Sequence, residues 1–253
     1  MKKILALLFV PIVCQAQLIA EKYLTLGVGF SSAIYESKDL DRFTETYNSV
    51  YRADLLARFK GLGSGEGLRW EAGYRRLGRW SMAVLAGWQN YLTKDAARFA
   101  NGEARNLELK MSSLYVEYEL GRAWNNFFVN GALTVFFNRK FTLESKYSGP
   151  ASEAANKTLN GTYKTDKAIS VDAGIALGIF REPIFIVGKI TYPLFTGGSS
   201  VFEDKAATRT PPGFDVFPSD YESYLQGQDY PGVSGDVDGL KILVTAAFAI
   251  RLK

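Results

Sequence analysis

Apolar and polar residues alternate with a period of two along most of this chain, most clearly in the segment 109–138. The residues that share its apolar face are Leu114, Val116, Tyr118, Leu120, Phe127, Val129, Leu133, Val135 and Phe137. Because successive side chains of a strand point to opposite faces, the pattern predicts two strands joined by a tight turn at 121–125. Each strand has the 9–11 residues that a tilted strand needs to cross a bilayer.

The same alternation recurs along the rest of the chain and predicts eight strands. They are 22–35, 68–75, 80–89, 109–120, 127–138, 169–179, 184–192 and 240–252. The connections between them alternate between long and short. The long loops are 36–65, 91–106, 141–167 and 196–239. An even strand number with this alternation is typical of a membrane barrel with short periplasmic turns and long extracellular loops.

The segment 36–65 contains a second periodicity. Its apolar residues recur every three or four positions, at Phe43, Tyr47, Tyr51, Leu55 and Phe59, which indicates a short amphipathic helix. The part 51–59 also alternates as a strand would. We favour the helix, because a ninth strand would make the count odd and place long loops on both sides.

Alternation alone does not say which face is outside, since a secreted barrel of the lipocalin kind has its apolar face inward. The even meander and the unequal loops favour the membrane. So do the aromatic residues near strand ends on the apolar face, as interfacial girdles require: Trp70, Tyr74, Trp80, Trp88, Tyr118, Phe127, Phe137 and Tyr192. The predicted fold is all-β, an eight-stranded antiparallel up-and-down transmembrane β-barrel.

The first residues have the features of a signal peptide. Lys2 and Lys3 precede an apolar stretch at 4–13, and Cys14 to Ala16 form a small-residue cleavage site. We expect residues 1–16 to be removed and 17–253 to form one barrel domain. A lipoprotein signal is disfavoured, because Val13 stands where a lipobox requires Gly, Ala or Ser. Cleavage leaves no cysteine for a disulfide or a thiol site.

The charge and the residue types exclude several functions. The formal charge of +4 falls to +2 without the two signal lysines, which is too small to indicate nucleic-acid binding. The chain contains no histidine, the usual general base near neutral pH. No motif predicts a cofactor. The sequence 236–239 resembles the start of a calcium loop but lacks its downstream glutamate, so we predict no metal site.

The polar faces of the predicted strands carry charges of both signs. The residues expected to form an ion-pair network in the lumen are Arg69, Glu71, Arg75, Glu117, Glu119, Asp172, Lys189, Lys241 and Arg251. Unpaired buried charges are costly, so these groups should pair. Because eight strands enclose a space just wide enough for their own side chains, we favour a solid interior over a conducting pore.

The strand pairs 68–88, 113–137 and 170–192, with the apolar last strand, resemble those of small eight-stranded outer-membrane barrels of Gram-negative bacteria, the OmpA/OmpX-like and PorT-like superfamily. The resemblance covers 22–253. It implies the bacterial outer membrane, with its lipid and lipopolysaccharide as surroundings, and specifies architecture rather than activity. Enzymes on this fold nearly always use a histidine, so its absence predicts a non-enzymatic barrel.

The fourth long loop, 196–239, is the most distinctive. It carries eight acids and two bases, the bases being Lys205 and Arg209. Its aromatic residues are Phe202, Phe214, Phe217, Tyr221, Tyr224 and Tyr230. Such residues pack on the barrel rim or contact a partner. We therefore expect an accessory or scaffold subunit of a larger outer-membrane complex, or a surface-binding module. A small-solute channel is the alternative, and a lipid-modifying barrel enzyme is less favoured.

Overall fold

The structure is a computed structural model that describes residues 20–149, 161–196, 203–204 and 237–253, so the expected signal peptide lies outside the described residues. Eight long strands dominate it: β1 Glu21–Glu36, β3 Ser64–Leu77, β4 Trp80–Phe99, β5 Ala104–Trp124, β6 Phe127–Tyr147, β7 Gly161–Arg181, β8 Ile184–Thr196 and β10 Asp238–Leu252. Three shorter elements accompany them: helix α1 Lys38–Val50, β2 Leu55–Ala57 and β9 Glu203–Asp204.

The eight long strands close into a barrel in which all pairs are antiparallel. The order around it is β1, β3, β4, β5, β6, β7, β8 and β10. Strand β10 returns to β1 and pairs with it from Lys22↔Leu252 to Glu36↔Asp238. The predicted eight-stranded up-and-down barrel is confirmed.

The barrel wall is apolar outside and polar inside. Outward side chains such as Leu26 (65% exposed) and Ile175 (57%) are open to the surroundings. Inward charged side chains such as Arg69 and Glu117 are almost completely buried. A water-soluble barrel has the reverse arrangement, so the apolar face is the lipid-facing surface.

The height of the apolar band fits a membrane. On β5 it extends from Ser112 to Arg122, which are ten residues apart. At about 3.3 Å per residue and a strand tilt of about 40°, this corresponds to about 25 Å along the barrel axis. That is the height of the apolar band in outer-membrane barrels. Among the described residues, no helix combines the length and apolarity needed to cross a membrane.

Four strands extend far into the loops predicted at 91–106 and 141–167, so these two loop predictions were wrong. Strand β4 continues to Phe99 and β5 begins at Ala104, in place of a loop at 91–106. Strand β6 continues to Tyr147 and β7 begins at Gly161, within the predicted loop 141–167.

The reason is that the polarity of the wall inverts above the membrane. There the inward residues are apolar and the outward residues are charged. The inward set includes Phe99, Leu107, Leu109, Phe141 and Leu143. The outward set includes Lys94, Glu108, Lys110, Glu144 and Lys146. This is the pattern of a water-exposed sheet on an apolar core. Because its outward residues are charged, the sequence there resembles that of polar loops, and loops were predicted.

The predicted helix is present but shorter than its apolar spacing suggested. Helix α1 is capped by Ser37, whose side chain accepts a hydrogen bond from the Leu40 amide, and it ends at Val50. The chain then turns back, and the amide side chain of Asn48 binds both the N–H and the carbonyl of Phe59. Residues 55–57 form β2 against the end of β4, so the strand-like alternation there was also real.

Candidate functional site

The interior of the barrel at membrane height contains a charge cluster from three strands. Its six members are Arg69, Glu71 and Arg75 on β3, Glu117 and Glu119 on β5, and Lys189 on β8. Inward positions on a strand are two residues apart, so the β3 and β5 charges stack along the lumen. Three cations and three carboxylates balance, and their side chains are at most 2% exposed.

Glu117 and Lys189 are the centre of this cluster. Glu117 accepts from Arg69 Nη2 at 2.8 Å and from the Lys189 ammonium. Lys189 also lies 3.0 Å from Glu119 and 3.5 Å from Glu71, so it contacts all three carboxylates. Removing either group would take one counter-charge from each of several buried partners.

Arg75 and its surroundings complete the cluster. The guanidinium of Arg75 donates to both oxygens of Glu119, at 2.7 and 3.2 Å, in a bidentate pair. Neutral groups also donate hydrogen bonds to two of the carboxylates. Asn130 donates to Glu119 at 3.0 Å, and Thr134 donates to Glu117 at 2.8 Å. The cluster is therefore well supplied with partners, which is the condition under which buried ions are tolerated.

A second group of charges lies beside this cluster, around the ring of Phe136. Lys241 binds Asp172 at 2.5 Å, and its ammonium lies 5.1 Å from the Phe136 ring. Arg139 binds Asp238 at 2.5 Å and also donates to the carbonyl of Val237. The structure thus places eight of the nine expected lumen residues in ion pairs inside the barrel.

Arg251 is the exception, and its assignment to the lumen network was wrong. It lies at the end of β10, where the barrel opens, and its side chain is 52% exposed. There it pairs with Glu21 at 2.8 Å. Its strand parity is inward, but a side chain at the end of the strand reaches the rim and water instead of the interior.

Arg139 was missed because strict alternation along β6 directs it toward lipid. The strand contains a β-bulge opposite Ser113, with Asn138 in the left-handed region at φ 49°. The extra residue reverses the parity, so Arg139 and Phe141 turn inward. Asparagine tolerates positive φ better than most residues, and Asn138 is the available signal in the sequence.

Apolar layers close the lumen on both sides of the charges. The outer apolar layer packs α1 against the inner faces of the extended strands: Leu40, Phe43 and Tyr47 with Phe99, Leu109, Phe141 and Leu143. The periplasmic apolar layer contains Tyr23, Phe128, Phe180, Phe185, Val187 and Ala249. Phe180 and Phe185 stack at 4.2 Å, and Arg75 lies 4.8 Å from the Phe128 ring.

This arrangement limits the chemistry that the interior can perform. The carboxylates Glu117, Glu119 and Asp172 are 0% exposed, and each contacts a cation. A general acid or base must reach a substrate, and these groups face ammonium and guanidinium groups instead.

The outer face above the membrane carries compensated charges. Lys94, Lys110 and Glu108 form a chain of ion pairs at 2.8 and 2.9 Å, and Lys110 continues it to Glu144. Hydrogen bonds from Lys110 and Lys94 lower the pKa of Glu108, and one from Lys110 lowers the pKa of Glu144. The carboxylates therefore remain ionised at neutral pH.

The six aromatic residues of the candidate binding loop, Phe202, Phe214, Phe217, Tyr221, Tyr224 and Tyr230, lie outside the described residues. The two ends of the loop are partly described. Residues Glu203–Asp204 pair with Tyr163 and Lys164 at the outer end of β7. Arg139 holds the other end at Val237 and Asp238. Asp238, one of the eight acids of the loop, therefore pairs with Arg139 at the barrel.

Comparisons with known proteins give likenesses of shape only. No family model and no curated protein matches the chain. Among solved structures, it resembles Ail of Yersinia pestis in complex with the heparin analogue sucrose octasulfate, with 9% identity and a TM-score of 0.42 over 91% of this chain and 99% of that one. It also resembles the outer membrane protein OprG of Pseudomonas aeruginosa, with 11% identity and a TM-score of 0.43 over 91% and 96%. A major outer membrane protein of Thermus thermophilus has 14% identity and a TM-score of 0.37 over 90% and 99%.

Proposed function

We propose that this chain is a non-enzymatic β-barrel of a bacterial outer membrane, closed along its axis, that presents its extracellular loops to a partner. It is exported through the cleaved segment 1–16 and acts as an accessory or scaffold subunit of an outer-membrane complex, or as a surface-binding module. The observation that carries this proposal is the filled lumen, with an ionic layer between two apolar layers.

The filled lumen opposes the main alternative, a small-solute channel. A channel needs a continuous polar path, and the outer apolar layer places Leu40, Phe43 and Tyr47 of α1 across that path. Movement of α1 would have to break these apolar contacts and the two hydrogen bonds of Asn48. With the interior closed, the surfaces left for function are the loops and the outer wall.

The absence of histidine supports the non-enzymatic proposal. Catalysis by carboxylates alone would require a substrate to reach Glu117 or Glu119, and both side chains are completely buried between cations. The fourth loop is the best candidate for contact with a partner. Its acids and aromatic rings suit either a basic protein surface or a carbohydrate.

Deletion of residues 205–229 tests the role of this loop and keeps β9 and the Arg139 contact intact. Wild-type and deleted proteins are purified from native membranes in mild detergent, and their co-purifying components and melting temperatures are compared. We expect the deletion to release the partner from a barrel that still melts at the wild-type temperature. A protein partner should also dissociate from wild type as salt rises, whereas a carbohydrate should show little salt dependence.

Two other results would contradict this role. A lower melting temperature with the complex retained would identify the loop as a lid packed on the barrel rim. If both the complex and the melting temperature are unchanged, the loop neither contacts a partner nor packs as a lid on the barrel rim. A matched variant in which Phe214, Phe217 and Tyr221 become serine separates loss of the rings from loss of loop length.

A further inference from the structure

The periplasmic ends of the strands carry an excess of cations. The cations at this rim are Lys22, Arg76, Arg79, Arg122, Arg181, Arg251 and Lys253, and the acids are Glu21 and Glu182. Glu21 is already bound by Arg251. Within the described residues, no other cation of this rim forms an ion pair with a carboxylate side chain. Glu182 is the remaining acid, and it follows Arg181 directly in the sequence.

Four of these cations point outward from the barrel. Lys22, Arg76, Arg122 and Arg181 have the same parity as the lipid-facing residues of their strands, such as Leu24 on β1. They therefore form a ring on the outer wall at the periplasmic edge of the apolar band, on β1, β3, β5 and β7 respectively.

Lys22 and Arg76 are directly opposite each other across the β1–β3 ladder. Like charges in this position repel, since side chains of opposed residues start about 5 Å apart. In addition, Nε of Arg76 is buried and finds no hydrogen-bond partner among the described residues. An anion between the two side chains relieves the repulsion between Lys22 and Arg76.

The height of Lys22 and Arg76 along the barrel axis indicates which anion contacts them. Arg122 lies at the same edge, 5.5 Å from the ring of Trp80, and Trp124 stacks on Phe127 nearby. Tryptophan in a barrel marks the interface between acyl chains and headgroups. Outward cations at this height lie among headgroup phosphates, and long cationic side chains reach them readily.

We propose that Lys22 and Arg76 bind the phosphate of an anionic phospholipid in the periplasmic leaflet. Arg122 and Arg181 contact headgroup phosphates in the same way elsewhere around the barrel. The leaflet assignment rests on the outer-membrane location proposed above. Arginine supplies a planar fork of donors to phosphate, and lysine adds a point charge. At the extracellular edge, by contrast, Lys94, Lys110 and Lys146 are already paired with Glu108 or Glu144.

The test measures binding of dihexanoyl phosphatidylglycerol to the full-length barrel in non-ionic detergent, with dihexanoyl phosphatidylcholine as the zwitterionic reference. The variant is Lys22→Gln with Arg76→Gln, and the matched control is Lys94→Gln with Lys110→Gln at the extracellular edge. Each cation near an anionic lipid is expected to contribute about fivefold in affinity, so the double variant should bind phosphatidylglycerol about 25-fold more weakly. The control and wild type should bind it equally well and prefer it to phosphatidylcholine.

Heat-modifiable gel mobility first shows that each variant is a folded barrel. If the double variant binds phosphatidylglycerol as tightly as wild type, or if wild type does not discriminate between the two lipids, the proposal is wrong. Competition by inorganic phosphate beyond that of sodium chloride at equal ionic strength would indicate a site for free phosphate and would overturn it. Loss of a periplasmic protein with unchanged lipid binding would assign the surface to that protein instead. A failure here leaves the loop deletion result unaffected, so the two proposals are separable.

Discussion

Replacing Glu117 with alanine is expected to lower the unfolding free energy of the barrel by about 3–5 kcal/mol. Glu117 is 0% exposed and is the shared partner of Arg69 and Lys189. Its removal leaves a buried excess positive charge and an unused Thr134 hydroxyl. Urea unfolding of the barrel in lipid vesicles, followed by tryptophan fluorescence, measures the loss.

Two further variants decide whether charge balance is the cause. Glu117→Gln combined with Lys189→Met removes one charge of each sign and should recover most of the lost stability, because neutral replacement of a buried pair is often tolerated. Glu108→Ala removes a carboxylate from the outer surface and should cost less than about 1 kcal/mol. Equal losses for Glu117→Ala and the double variant would refute the ion-paired lumen.

Arginine in place of Val116 is expected to destabilise the barrel by about 2–4 kcal/mol. Val116 points outward near the middle of the apolar band on β5 and is 43% exposed, so the substitution places a cation among acyl chains. Ser112→Arg, on the same face of the same strand but at the edge of the band, should cost only about 0–1 kcal/mol. The unfolding free energy in lipid vesicles measures both. Similar costs at the two depths would show that this wall does not face the hydrocarbon.

The barrel itself could be predicted from the sequence because lipid imposes a simple rule. Within the bilayer, each strand must place apolar residues outward. Alternation alone therefore located all eight strands and the charged residues on their inward faces. The charges within that height, such as Glu117 and Lys189, were assigned to the interior by parity and lie there. Parity was insufficient for Arg251, since its position at the strand end decides its surroundings.

The remaining differences arise where that rule does not apply. Above the membrane, water reverses the preferred faces, so the outer parts of β4, β5, β6 and β7 had the composition of loops. At Asn138 one extra residue reverses the parity, and Arg139 turns from the lipid side to the interior. A bulge depends on local backbone geometry and tertiary pairing, which a period-two pattern does not record.

The ionic and apolar layers close the lumen, and planar-bilayer recording measures this closure. Purified wild-type protein is reconstituted into vesicles, where heat-modifiable mobility shows the folded barrel; the vesicles are fused with a planar bilayer together with a known channel that reports fusion, and current is recorded over a range of voltages. We expect no steady conductance above that of a bilayer containing the reporter channel alone. A stable, reproducible open-channel current from the purified wild-type barrel would contradict this closure.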